Sequence, residues 1–312
     1  MNLEILSQAD FVQVRFTLEF TSRCCLQPTV FAKLPGQVRL VGQQLLDDGE
    51  PDLLLRWREL FQPRVSDDPI ALRRFQKPSP AFVLRWPFLE TRTVEAGDSV
   101  ALEILFFGSG IALIPHFARS LIHLGRLGLV DGGGRYEIPQ VHSLAADQSW
   151  AWIWRSSEPL DALAPNLLSL GGWLDTCLPL SQPLMLEFAT PVRLMAQGRP
   201  LRKVNFAQLF PFMLRRVTSM LHAHFSLEVV DEPTRLLEAV CEVEVLSCEL
   251  RWQDWQKVGA QRRHSVGGFV GAMVLNGPLS EEIDWVLALS ALTGVGKTAA
   301  LGAGKLSLSS SC

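Results

Sequence analysis

The chain reads as an α+β protein of two tandem βαββαβ domains with antiparallel sheets, the ferredoxin-like (RRM-like) order. Two observations predict this. The strand candidates alternate apolar and polar residues, as sheets with one covered face do. The order of strand-like and helix-like segments in the first half also recurs in the second.

In the first half, Phe11 to Phe20 alternates with Val12, Val14, Phe16, Leu18 and Phe20 on one side. Helical spacing follows over Gly36 to Leu46, then a polar insertion punctuated by proline, then strand candidates at Ala81 to Pro87 and Ser99 to Phe107. A helix is expected over Pro115 to Leu127, opened by a proline suited to a first turn. The turn Asp131-Gly132-Gly133-Gly134 leads to a short strand, Arg135 to Val141. In the second half the same order gives a strand at Leu184 to Leu194, an amphipathic helix at Phe206 to Phe225 and a long antiparallel pair, Leu236 to Trp252 with Ser265 to Leu275. Glu281 to Leu292 is expected as a helix behind Ser280, with acids in its first turn as the macrodipole favours. A glycine-rich turn and a strand, Lys305 to Ser309, finish the plan. The predicted boundaries are an N-terminal domain over residues 1–142, a Trp-, Pro-, Leu- and Ser-rich linker over 143–182, and a C-terminal domain over 183–312.

Composition narrows the function classes. Of the 312 residues 48% are hydrophobic and 20% charged, the balance of a folded chain rather than a disordered one. The net charge of -3 argues against a uniformly basic nucleic-acid binder but leaves room for a basic face. Charges within Met1 to Arg23 argue against a secretion signal, and no uncharged apolar run reaches the roughly 20 residues that span a bilayer, so no membrane partner is expected. The six cysteines are scattered without a CxxC, so neither a structural metal nor a disulfide framework is expected, and the chain reads as cytoplasmic.

The most informative segment is Thr293 to Leu306, where Gly294, Gly296, Gly302 and Gly304 interleave with Lys297 and Lys305. Gly296-Lys297-Thr298 ends like a Walker A loop, but the full pattern needs glycine where Ala291 stands, and a P-loop follows a strand rather than a helix. Physically, such a loop suits a phosphodiester backbone: glycine lets main-chain N–H groups approach phosphate oxygens, and lysine adds point charge. It equally suits an ordinary turn that needs positive φ angles.

A helix, then G-x-G-K, then G-x-G-K-L six residues later, resembles the C-terminal signature of the RAMP superfamily, and most of all its CRISPR repeat-processing endoribonucleases. Arg251-Trp252-Gln253-Asp254-Trp255, the run Gln261-Arg262-Arg263-His264-Ser265-Val266-Gly267-Gly268-Phe269-Val270-Gly271, and Thr190-Pro191-Val192-Arg193-Leu194 are similar to the same family, as are Leu60-Phe61 and Leu124-Gly125-Arg126-Leu127-Gly128 in the first half. The resemblance implies an enzyme that binds CRISPR repeat RNA and cuts it without metal or small-molecule cofactor. The RNA 2′-hydroxyl attacks the adjacent phosphate and leaves a 2′,3′-cyclic end. It also implies a second possibility, a non-catalytic RNA-binding subunit of a CRISPR effector complex, with other effector subunits as partners.

Candidate RNA contacts are the loop residues Gly294, Gly296, Lys297, Gly302, Gly304 and Lys305, together with Arg215, Arg216, Arg262 and Arg263. From Arg193 to Arg216 six cations occur without an acid, a pattern suited to phosphate neutralisation or to a solvated helix face. Family members carry a histidine near the first helix of the N-terminal domain, often with tyrosine and lysine. Here Ser22 to Asp48 has neither histidine nor tyrosine, and offers Arg23, Lys33 and Arg39. These three become the catalytic candidates, as cations able to hold phosphorane charge. His264 joins them through its basic neighbours, whereas His116, His123, His142, His222 and His224 read as structural.

Overall fold

The computed structural model describes residues 4–46, 50–65, 78–130, 133–255, 266–277 and 279–310. The chain divides into two compact units, one of Gln8–Val65 and Pro78–Leu170, the other running from Gly171 to the C-terminus and including the N-terminal residues through Ser7.

The first unit contains β1 (Asp10–Phe20), α1 (Pro28–Leu45), α2 (Pro51–Phe61), β2 (Phe82–Arg85), β3 (Ser99–Phe107), α3 (Ile114–Leu127), β4 (Gln140–Leu144) and β5 (Trp150–Arg155). Its sheet runs β2-β3-β1-β4-β5 with every neighbour antiparallel. The first four of these strands in space give the 2-3-1-4 order of a ferredoxin-like domain, and β5 extends the edge. Alternation along β1 decides its faces: Val12, Val14, Phe16, Leu18 and Phe20 are buried while Gln13, Arg15 and Thr17 stay partly exposed. On the buried side Phe117 of α3 meets Phe16, Phe82 and Phe106, with ring centroids 5.2 to 6.5 Å apart. The fully buried Trp57 of α2 donates its indole N–H to the Arg39 carbonyl at 3.1 Å and lies against Gly42, where a Cβ would collide with the ring.

The second unit contains α4 (Leu170–Cys177), β6 (Leu184–Val192), α5 (Phe206–Phe225), α6 (Pro233–Cys241), β7 (Glu244–Cys248), β8 (Arg251–Trp255), β9 (Val266–Asn276), α7 (Glu281–Thr293) and β10 (Leu306–Ser310). Its sheet runs β7-β9-β6-β10, and β8 also pairs with β9, so the same 2-3-1-4 order recurs. A capping box starts α5: the Asn205 side chain accepts from the Gln208 amide, and the Gln208 side chain accepts from the Asn205 amide. Ser280 caps α7, and almost all of that helix is buried.

The structure departs from the sequence reading at four places. Helix α1 starts eight residues early, at Pro28, because that proline occupies a first-turn position that needs no amide donor. The insertion expected to be polar contains α2, whose Trp57, Leu60 and Phe61 are buried at helical spacing. The expected linker instead supplies the end of β4, β5 and the short strand Leu168–Ser169 to the first sheet, followed by α4. The stretch read as one strand from Leu236 to Trp252 begins as helix α6, burying Leu236 and Val240 four residues apart.

Candidate nucleic-acid interface

The glycine loop of the second unit is sewn to the end of β6. Val295 donates its amide to the Gly304 carbonyl (2.8 Å), Lys297 to the Arg193 carbonyl (2.8 Å) and Gly304 to the Pro191 carbonyl (3.1 Å). Buried Thr190 donates from Oγ1 to the Gly302 carbonyl (3.1 Å) and accepts the Lys305 amide (2.7 Å). Such a fold-back needs positive φ, and Gly294, Gly296, Gly302 and Gly304 lie at +72°, +85°, +95° and +65°. Two of them are fixed by close approach as well. A Cβ at Gly304 would land on the Val295 carbonyl, and one at Gly296 would stand 2.7 Å from the Arg193 carbonyl oxygen.

This geometry corrects part of the expectation for the loop. Gly294, Gly302 and Gly304 are buried, so the chain's own backbone explains them. The exposed tip is Lys297-Thr298, with Gly296 and Lys305 partly exposed. Because Lys297 is tied through its amide to Arg193, the tip sits beside the basic stretch that follows β6. Exposed Arg199, Arg202 and Lys203 lie on that stretch, and Arg215 is exposed on α5. Among the described residues, none of these cations makes a salt bridge.

Arg216 behaves differently from its neighbour. Its Nε donates to the carbonyls of Thr293 (3.2 Å) and Gly294 (2.8 Å), and its Nη2 donates to Thr293 (2.8 Å). The guanidinium therefore caps the C-terminus of α7, where the macrodipole favours a cation. Burial lowers its pKa to about 10, leaving it charged at neutral pH. It is a structural cation, not a free phosphate contact. Trp252 is also held within the chain: its indole N–H donates to Asp254 Oδ1 (3.0 Å), its ring meets Phe269 edge-on at 5.6 Å, and Arg202 lies over it at 5.3 Å. Arg262, Arg263 and His264 lie outside the described residues.

In the first unit, Lys33 is exposed on α1 and Arg39 partly exposed. Six residues of helix place them about 120° apart around the axis, so they do not share one face. Arg23 precedes a short strand, Cys24–Leu26, which pairs with Arg92–Val94; its Nε meets Glu95 Oε1 at 3.2 Å. That exposed pair partly neutralises Arg23 and leaves Lys33 as the less encumbered cation. The single tyrosine, Tyr136, is buried and donates to the Leu121 carbonyl at 3.0 Å, and burial raises its pKa. It anchors α3 rather than serving as an acid.

The sequence reading missed a row that crosses the whole first sheet on the face away from the helices. Arg85, Glu103, Arg15, His142 and Trp152 stand in direct register from β2 to β5. Arg15 donates to Glu103 at 2.6 Å and lies 3.7 Å from the Trp150 ring centroid; Arg155 lies 4.5 Å from that of Trp152, which is 43% exposed. Burial, then the Arg15 charge, lowers the pKa of His142. Alternation in β1 flagged Arg15, but the aromatic partners Trp150 and Trp152, with Arg155, come from the segment taken as linker.

Comparison with known proteins follows the same division. Residues 186–306 match the family of the CRISPR-associated endoribonuclease Cas6, and residues 56–166 match a family described as an N-terminal domain. No curated protein sequence matches. Among solved structures, a Cas6 product complex is similar over 96% of this chain and 100% of that one, at 18% identity and a TM-score of 0.57. Cas6 of Thermus thermophilus is similar over 96% and 99%, at 17% identity and a TM-score of 0.54. A partial Cas6-RT-Cas1–Cas2 complex is similar over 96% of this chain but only 46% of that one, at 14% identity and a TM-score of 0.62. At these identities the structural likeness carries the fold, two tandem ferredoxin-like domains. The sequence match adds to this over one part of the chain: residues 186–306 are similar to the CRISPR-associated endoribonuclease Cas6 family.

Proposed function

We propose that this chain cuts CRISPR repeat RNA by attack of an RNA 2′-hydroxyl on the adjacent phosphate, giving a 2′,3′-cyclic phosphate and a 5′-hydroxyl, and keeps hold of its product. The observation that carries this reading is the loop tip. Lys297 is exposed, unpaired among the described residues and fixed beside Arg193 to Lys203, inside the segment that matches Cas6. A rigid cationic ridge of this kind neutralises successive phosphates with little ordering cost. The Arg15–Trp152 row offers a second surface, where exposed indole and guanidinium planes suit unstacked bases.

An internal nucleophile needs no activated water, so the chemistry asks for three things: a proton acceptor near the 2′-oxygen, cations near the phosphorane and a donor for the leaving oxygen. Lys33, an exposed cation on α1, suits the charge-holding and donor roles, with Arg39 and Arg23 as further cations. His264 is the candidate base. One observation favours the alternative, a non-catalytic RNA-binding subunit of a larger CRISPR assembly: α1 carries no histidine or tyrosine, and Tyr136 is locked in the core. Incubating the protein with its own repeat RNA in EDTA separates the two. Cleavage that is lost with a 2′-deoxy substitution at the cut site supports the nuclease; tight binding without cleavage supports the subunit. Cleavage that needs a divalent ion overturns the proposed mechanism.

A further inference from the structure

Helix α1 carries two glycines in its interior, and the chain's own packing explains one of them. Gly42 lies against the Trp57 indole, where a Cβ would collide with the ring. Gly36 is exposed, and a Cβ placed there meets nothing within 4 Å among the described residues. Backbone conformation does not explain it either. Gly97, Gly198 and Gly277 also face open space, but each lies at a positive φ, whereas Gly36 does not. A glycine inside a helix weakens it relative to alanine. Pro35 beside it adds to that weakness, since it can donate no amide to the Phe31 carbonyl one turn back, but its buried ring serves the core. Gly36 serves no such contact.

Its position suggests what it does serve. Lys33 and Arg39 stand three residues before and after it, so each lies about 60° round the helix axis and about 4.5 Å along it. The two cations do not share a face, but Gly36 bisects the angle between them. Neither makes a salt bridge among the described residues. Between them the helix surface is bare backbone, a shallow notch with a cation on either shoulder. Leu40, 55% exposed, lies one turn further along the same side. This combination suits a ribose-phosphate unit. The cations hold the charge, the missing side chain admits the sugar-phosphate to the helix surface, and an apolar side chain follows for the ribose or base.

We propose that Gly36 is a positioning residue, which lets one RNA phosphate settle against α1 between Lys33 and Arg39. The inference rests on the RNA-cutting reading and deepens it, by naming the residue that sets how closely the phosphate approaches its cations. Any side chain at this position would hold the phosphate away, and a misplacement of about 1 Å can cost about 100-fold in rate.

The test sets stability against activity. Gly36→Ala should raise the urea midpoint, because alanine is the better helix former and its methyl has room. Its saturated single-turnover cleavage of the repeat RNA should nevertheless fall about tenfold, and that of Gly36→Leu about 100-fold, with half-saturating concentrations within about threefold of the parent. A folded Gly36→Leu protein that cuts at the parental rate overturns the proposal and leaves the nuclease reading standing. A lower urea midpoint for Gly36→Ala also overturns it, by making the glycine a requirement of folding. Where the parent binds the repeat RNA without cutting it, the nuclease reading falls by itself, and salt dependence then tests the notch. Gly36→Leu should reduce the slope of log K against log salt by about 0.7, the single-strand value for one phosphate, and an unchanged slope overturns the proposal.

Discussion

Replacing Arg216 with methionine separates a structural cation from an RNA-binding one within a single dipeptide. Methionine keeps most of the stem volume but removes the Nε and Nη2 donors that end on two carbonyls, those of Thr293 and Gly294. Each carbonyl left buried without a donor costs about 1–3 kcal/mol, and the lost dipole contact at the helix end adds about 0.3–1 kcal/mol. Releasing the desolvated guanidinium offsets part of this, so a net destabilisation of about 3 kcal/mol is expected. Urea unfolding followed by far-ultraviolet circular dichroism reads it as a lower midpoint at unchanged slope. Well below that midpoint, repeat-RNA affinity should stay within about twofold of the parent, because this guanidinium faces the chain's own carbonyls. Arg215→Met should do the reverse, sparing stability and weakening RNA. A stable Arg216→Met protein with a tenfold loss of RNA affinity would refute the capping assignment.

Three further outcomes follow from the same geometry. Gly304→Ala must hold a positive φ and push a methyl onto the Val295 carbonyl, so it should cost about 2–5 kcal/mol by the same unfolding assay; a loss under about 1 kcal/mol contradicts the close approach. Lys297→Ala should weaken repeat-RNA binding and reduce the slope of log K against log salt by about 0.7, the single-strand value for one phosphate, and Lys305→Ala, partly exposed, by less; an unchanged slope returns the loop to the role of a turn. Asp284 has its folded pKa raised above the unfolded carboxylate value of about 3.9, so its contribution to stability is present below that pH and is lost as pH rises through the folded pKa. Asp284→Asn should therefore melt above the parent at pH 7, with the gap closing toward pH 4. A gap that stays constant with pH rules out that titration.

Much of the fold was legible because burial on one face imposes a period on the sequence. The alternation of Phe11 to Phe20 and the spacing of Phe206 to Phe225 both returned as the observed elements almost residue for residue. Prolines misled where their position, rather than their presence, decides the outcome: Pro28, Pro51 and Pro233 each open a helix in its first turn, where a missing amide donor is harmless. The apolar content of Leu236 to Val240 fits either period over so short a run, and packing settled it as helix. The glycine loop was legible as a loop, but its cause was not. Only tertiary structure reveals that Gly304 faces Val295 and that Arg216 reaches the last carbonyls of α7, since both partners lie far away in sequence or across a reversal of the chain. The Arg85–Trp152 row was hidden for the same reason, because register between five strands is not written in any one of them.

The proposed function divides labour between cations, giving Lys33 of the first unit the reacting phosphate and Lys297 of the second the hold on the RNA. Single-turnover cleavage of the repeat RNA, titrated with protein to saturation, tests both at once. Lys33→Ala should lower the saturated rate about 10²–10³-fold, the usual effect of losing one oriented charge, while leaving the half-saturating concentration within about twofold. Lys297→Ala should raise the half-saturating concentration and leave the saturated rate unchanged. A Lys33→Ala protein that cuts at the parental rate, with cleavage abolished only by His264→Ala, would contradict the account and move the chemistry to a histidine base.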